Sequence, residues 1–430
     1  MKKILIPIIT FVTFAGYGQR LKISNERLSE NWKALKSFGF NEETQGNDRI
    51  AFSDFNLSAI NMIDQKLTAL GMRVNRDAAG NLIATRKGAN NQLPPIAFGS
   101  HIDCVPNGGH YDGQVGVLGA IEVIETLVEN NFQTNHPLEL IIFSNEESGV
   151  FGSRALAGAL TNESLEVMTP SGFTNAQGAE RLGGNANKIL SIARKPGSLH
   201  AFLELHIEQG GILEEKQLDI GIVQGIVGLR WWDVTVEGTS NHGGTTPMNK
   251  RQDALLAAAK FIQLVNSVVT SVPGRQVGTV GRIKAYPGAP NVIPGKVVLS
   301  LELRVLSEAK IDQLFAEIKT KTDSLATDSQ VKFSFSPISA TGKAALTDER
   351  IQAVIQNEAE NLNFSYQYMP SGAGHDAQEM SHIAPTGMIF IPSKAGISHA
   401  PEEYSTFKDM GQGTQLLLNT ILSLDQLKEY

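Results

Sequence analysis

The sequence predicts an α/β protein of two domains, in which a smaller α+β domain is inserted into a larger domain with a mostly parallel sheet. Three observations support this fold class. Short apolar strands alternate with helical patterns over most of the chain, as in parallel sheets with crossover helices. Between residues 226 and 336 the order changes to strand, helix, two strands, helix and strand, which is typical of a ferredoxin-like domain. The chain also has 430 residues, more than one hydrophobic core ordinarily supports.

The larger domain is predicted to comprise residues 20–225 and 337–430. It begins with two helices, at about 24–38 and 55–70, whose apolar side chains recur at helical spacing. Alternating residues on either side of Ala79-Gly80 predict a β-hairpin. Further elements follow in order: strands at 95–98, 138–143 and 201–205, a helix at about 116–127 after the first of them, and, beyond the insertion, a helix at about 351–362 and a strand at 387–391.

Polar residues of ligand type follow each of the three apolar strands. His101 and Asp103 come after the first strand, Glu146 and Glu147 come after the second, and His206 comes after the third. The carboxyl ends of parallel strands meet at one edge of a sheet, where α/β proteins place their ligands. Imidazole and carboxylate groups without thiolates suit zinc, manganese or cobalt. Any one segment alone is equally explained by a solvated polar loop, but the repetition at three strand ends predicts a metal site.

The inserted domain is predicted to span residues 226–336. Its pattern consists of strands at 231–236, 277–283, 297–305 and 331–335, with helices at about 253–269 and 309–325. A four-stranded sheet of this kind has edge strands, and an unpaired edge can join its copy in a second subunit. The inserted domain therefore offers a route to a homodimer.

The composition limits the partners and the compartment. The net charge is −7 and no basic tract occurs, which argues against nucleic acid as a partner. Lys2-Lys3, a short apolar run and small residues up to Gln19 are typical of a secretory signal at residues 1–19, with an uncleaved anchor or a frayed segment as the alternative. We therefore expect a periplasmic or secreted protein without a stable membrane span after cleavage. Cys104 is the only cysteine, so no intrachain disulfide can form. Its side chain either fills space in the core or binds the metal.

From about residue 25 to 425 the chain resembles the amidase/carbamoylase branch of the M20 metallopeptidase family. That branch includes N-carbamoyl-L-amino acid hydrolases, β-ureidopropionase and allantoate amidohydrolase. The resemblance implies a catalytic domain like that of zinc peptidases and an inserted lid and dimerisation domain. It rests on these motifs: Gly-Ser-His-Ile-Asp at 99–103, Tyr-Asp-Gly at 111–113, Asn-Glu-Glu-Ser at 145–148, Glu-Leu-His-Ile-Glu-Gln-Gly at 204–210, His-Gly-Gly-Thr-Thr-Pro-Met at 242–248, Gly-Ala-Pro-Asn-Val-Ile-Pro at 288–294, Ser-Gly-Ala-Gly-His-Asp-Ala at 371–377 and Gly-Ile-Ser-His at 396–399.

The resemblance implies two divalent metal ions per subunit, bridged by Asp112. His101 and His206 are expected to complete one metal site, and Glu147 and His399 the other. Zinc or manganese is expected, with cobalt or nickel as alternatives. His206 also marks the branch, since many peptidases of the wider family use a carboxylate at that position.

Three further residues are predicted to take part in catalysis. Glu146 is the predicted general base, which takes the proton from the water held between the metals. Asp103 is assigned to the site because it lies two residues from His101 and can orient its ring. His242 resembles a histidine that relatives supply from the partner subunit to stabilise the oxyanion. The alternative for His242 is a histidine that caps its own turn.

Four residues are predicted to contact the substrate. Arg304 resembles the family arginine that holds a substrate carboxylate, with a surface ion pair as the alternative. Asn291 either donates to the substrate or forms a turn in its Pro/Gly loop. Gln209 resembles the residue that contacts the ureido group. His375 either lines the pocket or holds its own Gly-rich loop.

These inferences predict a binuclear metal amidohydrolase that acts on a small ureido or carbamoyl carboxylic acid. N-carbamoyl-L-amino acids and allantoate are the expected substrates, and the resemblance implies a homodimer through the inserted domain. One alternative is an aminoacylase or peptidase of the wider family. Another is a metal-dependent binding protein without catalysis, against which the presence of Glu146 argues.

Overall fold

The two predicted patterns correspond to two separate β-sheets in the computed structural model, which describes residues 21–427. The predicted signal at residues 1–19 lies outside the described residues. The helices, numbered along the chain, are α1 (Asn25–Lys36), α2 (Asp54–Ala69), α3 (Gln114–Glu129), α4 (Phe151–Ala157), α5 (Asn162–Leu165), α6 (Asn175–Arg181), α7 (Ile212–Glu215), α8 (Ala254–Ser271), α9 (Glu308–Ser329), α10 (Glu349–Asn361), α11 (Asp376–Met380) and α12 (Phe407–Leu424).

The larger sheet has nine strands, which are β1 (Arg73–Arg76), β2 (Leu82–Arg86), β3 (Ile96–His101), β4 (Leu138–Phe143), β5 (Ala201–Ile207), β6 (Ile220–Ile226), β14 (Ala345–Leu346), β15 (Tyr366–Ser371) and β16 (Thr386–Ile391). Their order is β1-β2-β4-β3-β5-β16-β6-β14, with β15 beside β6. The central strands β4, β3, β5 and β16 run parallel, and antiparallel pairs flank them. This topology confirms the predicted α/β class and its mostly parallel central sheet.

Helices cover both faces of the larger sheet. Neighbouring strand residues point to opposite faces, so Phe98 lies in the core under α3 and α12, whereas Ala97 lies in the core under α4 and α11. Strands β3, β5 and β16 are therefore buried along their whole length. This double burial explains why these strands read as continuous apolar runs in the sequence.

The smaller sheet has five strands, which are β7 (Gly228–Glu237), β9 (Val277–Thr279), β10 (Ile283–Tyr286), β12 (Lys296–Val305) and β13 (Lys332–Gly342). Its order is β10-β12-β7-β13, with β9 beside β12, and all pairs are antiparallel. Helices α8 and α9 pack on this sheet around a separate hydrophobic core. The strand order is that of the predicted ferredoxin-like domain.

Two details differ from the predicted pattern of the smaller sheet. The single strand predicted at 277–283 is divided into β9 and β10, because the register with β12 shifts by one residue between Thr279 and Ile283, as at a β-bulge. Strand β13 also continues to Gly342, past residue 336. Strands β14–β16 return to the larger sheet after this segment, in keeping with an insertion, and the exact domain boundaries stay predictions.

Helix α8 has an apolar outer face as well as a buried one. Among the described residues it is the one helix that is long and apolar enough to cross a membrane. Its inner face, with Phe261 and Val265, packs into the core of the smaller sheet. Leu255, Leu256 and Ile262 lie exposed on its other side. Core packing accounts for the apolar residues of its inner face.

Candidate active site

The predicted metal ligands converge at the carboxyl edge of the larger sheet. His101 is the last residue of β3, His206 lies near the end of β5, and Glu147 follows β4. Asp112 lies in the loop before α3, and His399 lies in the loop after β16. The parallel strands bring these segments together although they are up to about 300 residues apart in sequence.

Asp112 lies at the centre of two groups of ligands. Its Oδ1 atom is 3.1 Å from Nε2 of His206 and 3.5 Å from Nε2 of His101. Its Oδ2 atom is 3.2 Å from Nε2 of His399, and that nitrogen is 3.4 Å from Oε2 of Glu147. Each carboxylate oxygen of Asp112 therefore faces one group, which is the arrangement of a bridging ligand.

The hydrogen bonds of two histidines prepare their Nε2 atoms to bind a metal. Nδ1 of His101 lies 3.0 Å from the carbonyl oxygen of Asp103, and Nδ1 of His206 lies 2.9 Å from that of Ile207. A carbonyl oxygen only accepts, so Nδ1 carries the proton in both rings and Nε2 keeps its lone pair. The amide of Gly113 donates to Nε2 of His206, which agrees with this tautomer.

The charge balance of the site also favours a cation. Burial raises the pKa of Glu147 to about 7, and the hydrogen bond to Asp112 raises the pKa of His399 to about 9. Both groups therefore hold protons more tightly than usual, because burial and the neighbouring carboxylates disfavour further negative charge. Oε1 of Glu147 is buried and has no hydrogen-bond partner among the described residues. This donor set of imidazoles and carboxylates fits divalent zinc or manganese.

Glu146 lies beside this group and faces the cleft. Its Oε2 atom is 3.7 Å from Nε2 of His101, and burial raises its pKa well above the usual value. The amides of Glu146 and Glu147 donate to the two carboxylate oxygens of Asp103, over 3.3 and 3.2 Å. Asp103 therefore holds the turn that carries Glu146, while its main-chain carbonyl rather than its carboxylate receives the proton of His101.

Three of the predicted metal ligands, Asp112, Glu147 and His399, line a cleft of about 750 Å³ between the two sheets. Six predicted site residues in the loops of the larger sheet line the cleft, and the smaller sheet contributes Leu229, Trp231, Arg304 and Gly342. The predicted site residues that line the cleft are Asp112, Glu146, Glu147, Gln209, Arg304, His375 and His399. His101 and His206 are buried directly beneath them.

Arg304 is held in a defined position within the cleft. Its Nε donates to Oε1 of Glu302 over 2.6 Å, and its Nη1 donates to the carbonyl oxygen of Gly372 over 2.7 Å. Glu302 also accepts a hydrogen bond from the indole of Trp231. The bond to Gly372 joins the smaller sheet to the Gly-rich loop of the larger one. Both interpretations of Arg304 therefore find support, since it makes an ion pair and also lines the cleft.

Two other predicted substrate contacts lie close to the ligands. Nε2 of Gln209 donates to Oδ2 of Asp112 over 2.6 Å, and its Oε1 has no hydrogen-bond partner among the described residues. Nε2 of His375 is 2.8 Å from Oγ of Ser371, and its ring centre is 4.5 Å from that of His206. His375 thus both holds its Gly-rich loop and lines the cleft.

His242 and Asn291 lie apart from the metal ligands, in the smaller domain. The short strands β8 (Asn241–His242) and β11 (Val292–Ile293) pair with each other and bring the two residues together. Nδ1 of His242 accepts the amides of Gly244 and Thr245, over 3.0 and 3.1 Å. This capping of its own turn leaves Nε2 as the nitrogen that carries the proton in the neutral ring. Neither His242 nor Asn291 lines the cleft of its own chain.

Cys104 is buried and belongs to none of the groups of potential metal ligands among the described residues, which favours a packing role. Its thiol donates to the main-chain oxygen of Asn47 over 3.3 Å, and burial raises its pKa to about 12.

Sequence reasoning did not assign roles to Glu302, Trp231 or Ser398. Oγ of Ser398 lies 2.9 Å from Oδ2 of Asp112 and 2.8 Å from Oε2 of Glu403, so its single proton can be donated to either carboxylate. Two signals for these residues were present in the sequence. Glu302 precedes Arg304 by two positions on one strand, the spacing at which side chains share a face, and Ser398 directly precedes the predicted ligand His399.

Comparisons with known proteins agree with this geometry. Residues 97–423 match Peptidase family M20/M25/M40. The N-carbamoyl-L-amino acid amidohydrolase of Geobacillus stearothermophilus is 36% identical over 409 residues, which cover 94% of this chain and 99% of that protein. The ureidoglycolate hydrolase of Arabidopsis thaliana is 39% identical over 88% of this chain and 82% of its own length. An amidase of the hydantoinase/carbamoylase family from Burkholderia multivorans has a similar structure, with a TM-score of 0.88, 32% identity, and coverage of 94% of this chain and 99% of that one.

The chain belongs to the M20/M25/M40 family of metal-dependent hydrolases. Its relatives carry the names of amidohydrolases, so the predicted resemblance and the predicted enzyme class are confirmed: a hydrolase of carbon–nitrogen bonds other than peptide bonds.

Proposed function

We propose that this protein is a binuclear metal amidohydrolase that cleaves the carbamoyl group from a small ureido or carbamoyl carboxylic acid. The expected substrates are N-carbamoyl-L-amino acids and allantoate. The observation that carries this proposal is the position of Asp112, whose two oxygens face two separate groups of ligands beside a buried carboxylate, Glu146. The named relatives act on carbamoyl and ureido compounds, which supports this substrate class.

Asp112 would bridge the two metals. His101 and His206 would complete one site, and Glu147 and His399 the other, with zinc or manganese as the preferred ions and cobalt or nickel as alternatives. Two such ions would polarise the substrate carbonyl group and lower the pKa of a water molecule between them.

Glu146 would act as the general base. Burial raises the pKa of its carboxylate, which strengthens it as a base, and its place at the cleft puts it within reach of a water near His101. It would take the proton from the attacking water and later give it to the leaving nitrogen. Asp103 would serve by holding the main chain of Glu146 and Glu147.

The substrate carboxylate would bind to Arg304. The contacts with Glu302 and Gly372 fix the plane of the guanidinium group and leave further N–H donors at the cleft. Gln209 and His375 would contact the ureido group and its surroundings. Asn291 would reach a substrate only from a neighbouring subunit, as proposed next for His242.

We infer that His242 stabilises the oxyanion of a neighbouring subunit in a homodimer. The turn holds its Nδ1 as an acceptor, so the ring presents Nε2–H as the donor that an oxyanion needs. The exposed residues Leu255, Leu256 and Ile262 of α8, in the same domain, offer an apolar surface for the dimer contact. The predicted signal at residues 1–19 supports a periplasmic or secreted location.

A substrate panel tests the proposed function. Purified protein, reloaded with zinc or manganese, is incubated with N-carbamoyl-L-amino acids, allantoate, N-acetyl-L-amino acids and dipeptides, and the released carbamate is measured as ammonia together with the free amino group. Ammonia should come from the ureido compounds, and chelator-treated protein should release none. Cleavage of acetyl or peptide bonds alone would identify an aminoacylase or peptidase, and no turnover of any compound would favour the binding protein.

A further inference from the structure

Glu403 lies behind the metal ligands and is buried, with 3% of its surface exposed. Its Oε1 atom accepts the amides of Tyr111 and Asp112, over 2.8 and 3.0 Å. Its Oε2 atom accepts the hydroxyl of Ser398 over 2.8 Å and the amide of His399 over 3.3 Å. One carboxylate therefore joins two loops that are almost 290 residues apart in sequence, and each of its oxygens serves one loop.

The two loops joined by Glu403 carry two predicted ligands of the same metal site. His399 belongs only to the second group, together with Glu147, whereas the bridging Asp112 belongs to both groups. His101 and His206, by contrast, lie on the strands β3 and β5, whose ladders hold them directly. The contacts of Glu403 therefore bear on the geometry of one metal site more than on the other.

His399 depends on its main chain for its position. Its side chain is 50% exposed, whereas the side chains of His101 and His206 are each 1% exposed. Packing therefore holds the ring of His399 much less than it holds the other two. The residue also has a φ angle of +57°, a left-handed conformation that is unfavourable for a non-glycine residue and persists only where surrounding contacts enforce it. The hydrogen bond from its amide to Glu403 is one such contact.

The space around the carboxylate fits this arrangement closely. A Cβ atom at Gly109 would lie 2.1 Å from Oε1 of Glu403, so this position requires glycine while Glu403 keeps its place. The carboxylate accepts all of its hydrogen bonds from N–H and O–H donors. A glutamine amide group could not accept all of them, because only one of its two polar atoms is an acceptor. A glutamine at 403 could still accept the amides of Tyr111 and Asp112, but its NH₂ group would then face the amide of His399, donor against donor.

We propose that Glu403 is a positioning residue that assembles the second metal site by fixing the His399 loop against the Asp112 loop. This inference rests on the proposed two-metal function. It gives Glu403 no contact with the substrate and no proton to transfer. A carboxylate of this kind behind a metal ligand typically changes the metal affinity about 10- to 100-fold when it is replaced.

The test compares metal binding by Glu403→Gln and by Glu402→Gln. Glu402 is the exposed neighbour in the same loop, so the control makes the same chemical change without the contacts. Metal-free proteins are titrated with Zn²⁺ and then with Mn²⁺ in competition with a chromophoric chelator, and thermal unfolding of the metal-free forms is followed by circular dichroism. Wild type and Glu402→Gln should bind two ions per chain. Glu403→Gln should bind the first ion unchanged and the second about 10- to 100-fold more weakly.

The outcomes separate a positioning role from a general structural one. Equal weakening of both ions, or wild-type affinity for both, would overturn the proposal. If Glu403→Gln does not fold, Glu403→Asp takes its place, because the shorter side chain keeps the charge but cannot reach both loops at once, and the same selective loss is required of it. Binding of fewer than two ions by the wild-type protein would instead refute the proposed binuclear function.

Discussion

Replacing Arg304 with lysine should weaken turnover of substrates that carry a carboxylate. Arginine makes two contacts at once, from Nε to Glu302 over 2.6 Å and from Nη1 to Gly372 over 2.7 Å, and still has N–H donors left. A lysine keeps the positive charge but has one nitrogen. It cannot hold both contacts and also bind a substrate carboxylate through two parallel bonds.

The magnitude follows from the bond that is lost. A hydrogen bond to a charged group contributes roughly 1.5 to 3 kcal/mol. At about 1.4 kcal/mol for each factor of ten, the loss of one such bond lowers kcat/KM about 10- to 150-fold. The carboxamide of the same substrate makes only a neutral hydrogen bond at that position, so its already lower kcat/KM should fall by much less.

Steady-state kinetics on matched pairs of N-carbamoyl-L-amino acids and their amides measures this difference. Arg230→Lys provides the control, since Arg230 lies on the same sheet and pairs with Glu308 and Asp312 but does not line the cleft. It should leave both kcat/KM values near wild type. If Arg304→Lys lowers kcat/KM equally for acid and amide, Arg304 does not bind the carboxylate, and its role is to join the two domains through Gly372.

Two further predictions concern catalysis. Glu146→Gln keeps the size of the side chain but cannot accept a proton, so metal content should stay at the wild-type level while kcat falls about 10²- to 10⁴-fold; a variant with most of its activity would exclude Glu146 as the base. His242→Ala should also lose activity, by about 10²- to 10³-fold. A mixed dimer of Glu146→Gln and His242→Ala chains should regain activity at one of its sites, whereas an inactive mixture would show that His242 acts within its own chain.

The grouping of the proposed metal ligands could be predicted from sequence because several of them follow the ends of buried parallel strands. An apolar run followed at once by His101, or by Glu146-Glu147, places polar groups at the carboxyl edge of the sheet whatever the exact strand order. The strands β3, β4 and β5 are found within a few residues of their predicted bounds. The pairing of two groups of ligands around Asp112 came only from the resemblance to a family.

Contacts between distant segments could not be predicted from local patterns. Asp103 lies more than 40 residues before Glu146 and Glu147 in the sequence, yet its carboxylate accepts hydrogen bonds from both of their amides. Arg304 meets Gly372 only because the two sheets approach each other across the cleft. These contacts depend on tertiary packing, which a sequence pattern does not encode residue by residue.

Some strands escaped prediction because their composition is ambiguous. Strand β6 contains Gly221 and Gly225, and glycines weaken the strand pattern. Gly221 is nevertheless needed, since a Cβ there would lie 2.6 Å from the sulfur of Met369 on the neighbouring strand β15. Close packing between β6 and β15 therefore favours glycine at position 221, and this glycine weakens the strand pattern of β6 in the sequence.

The spread of the ligands along the chain also bears on the biosynthesis of the protein. No stretch of sequence shorter than 101–399 contains all five proposed ligands, and the last of them, His399, lies beside Asp112 in the loop that follows β16, a strand paired with β5. A nascent chain that still lacks this region would be unable to form the second of the two proposed metal sites. Metal loading would then be a late event, completed after translation reaches the C-terminal region. The ions that the enzyme carries would accordingly reflect the metal pool of the compartment where the chain finishes folding.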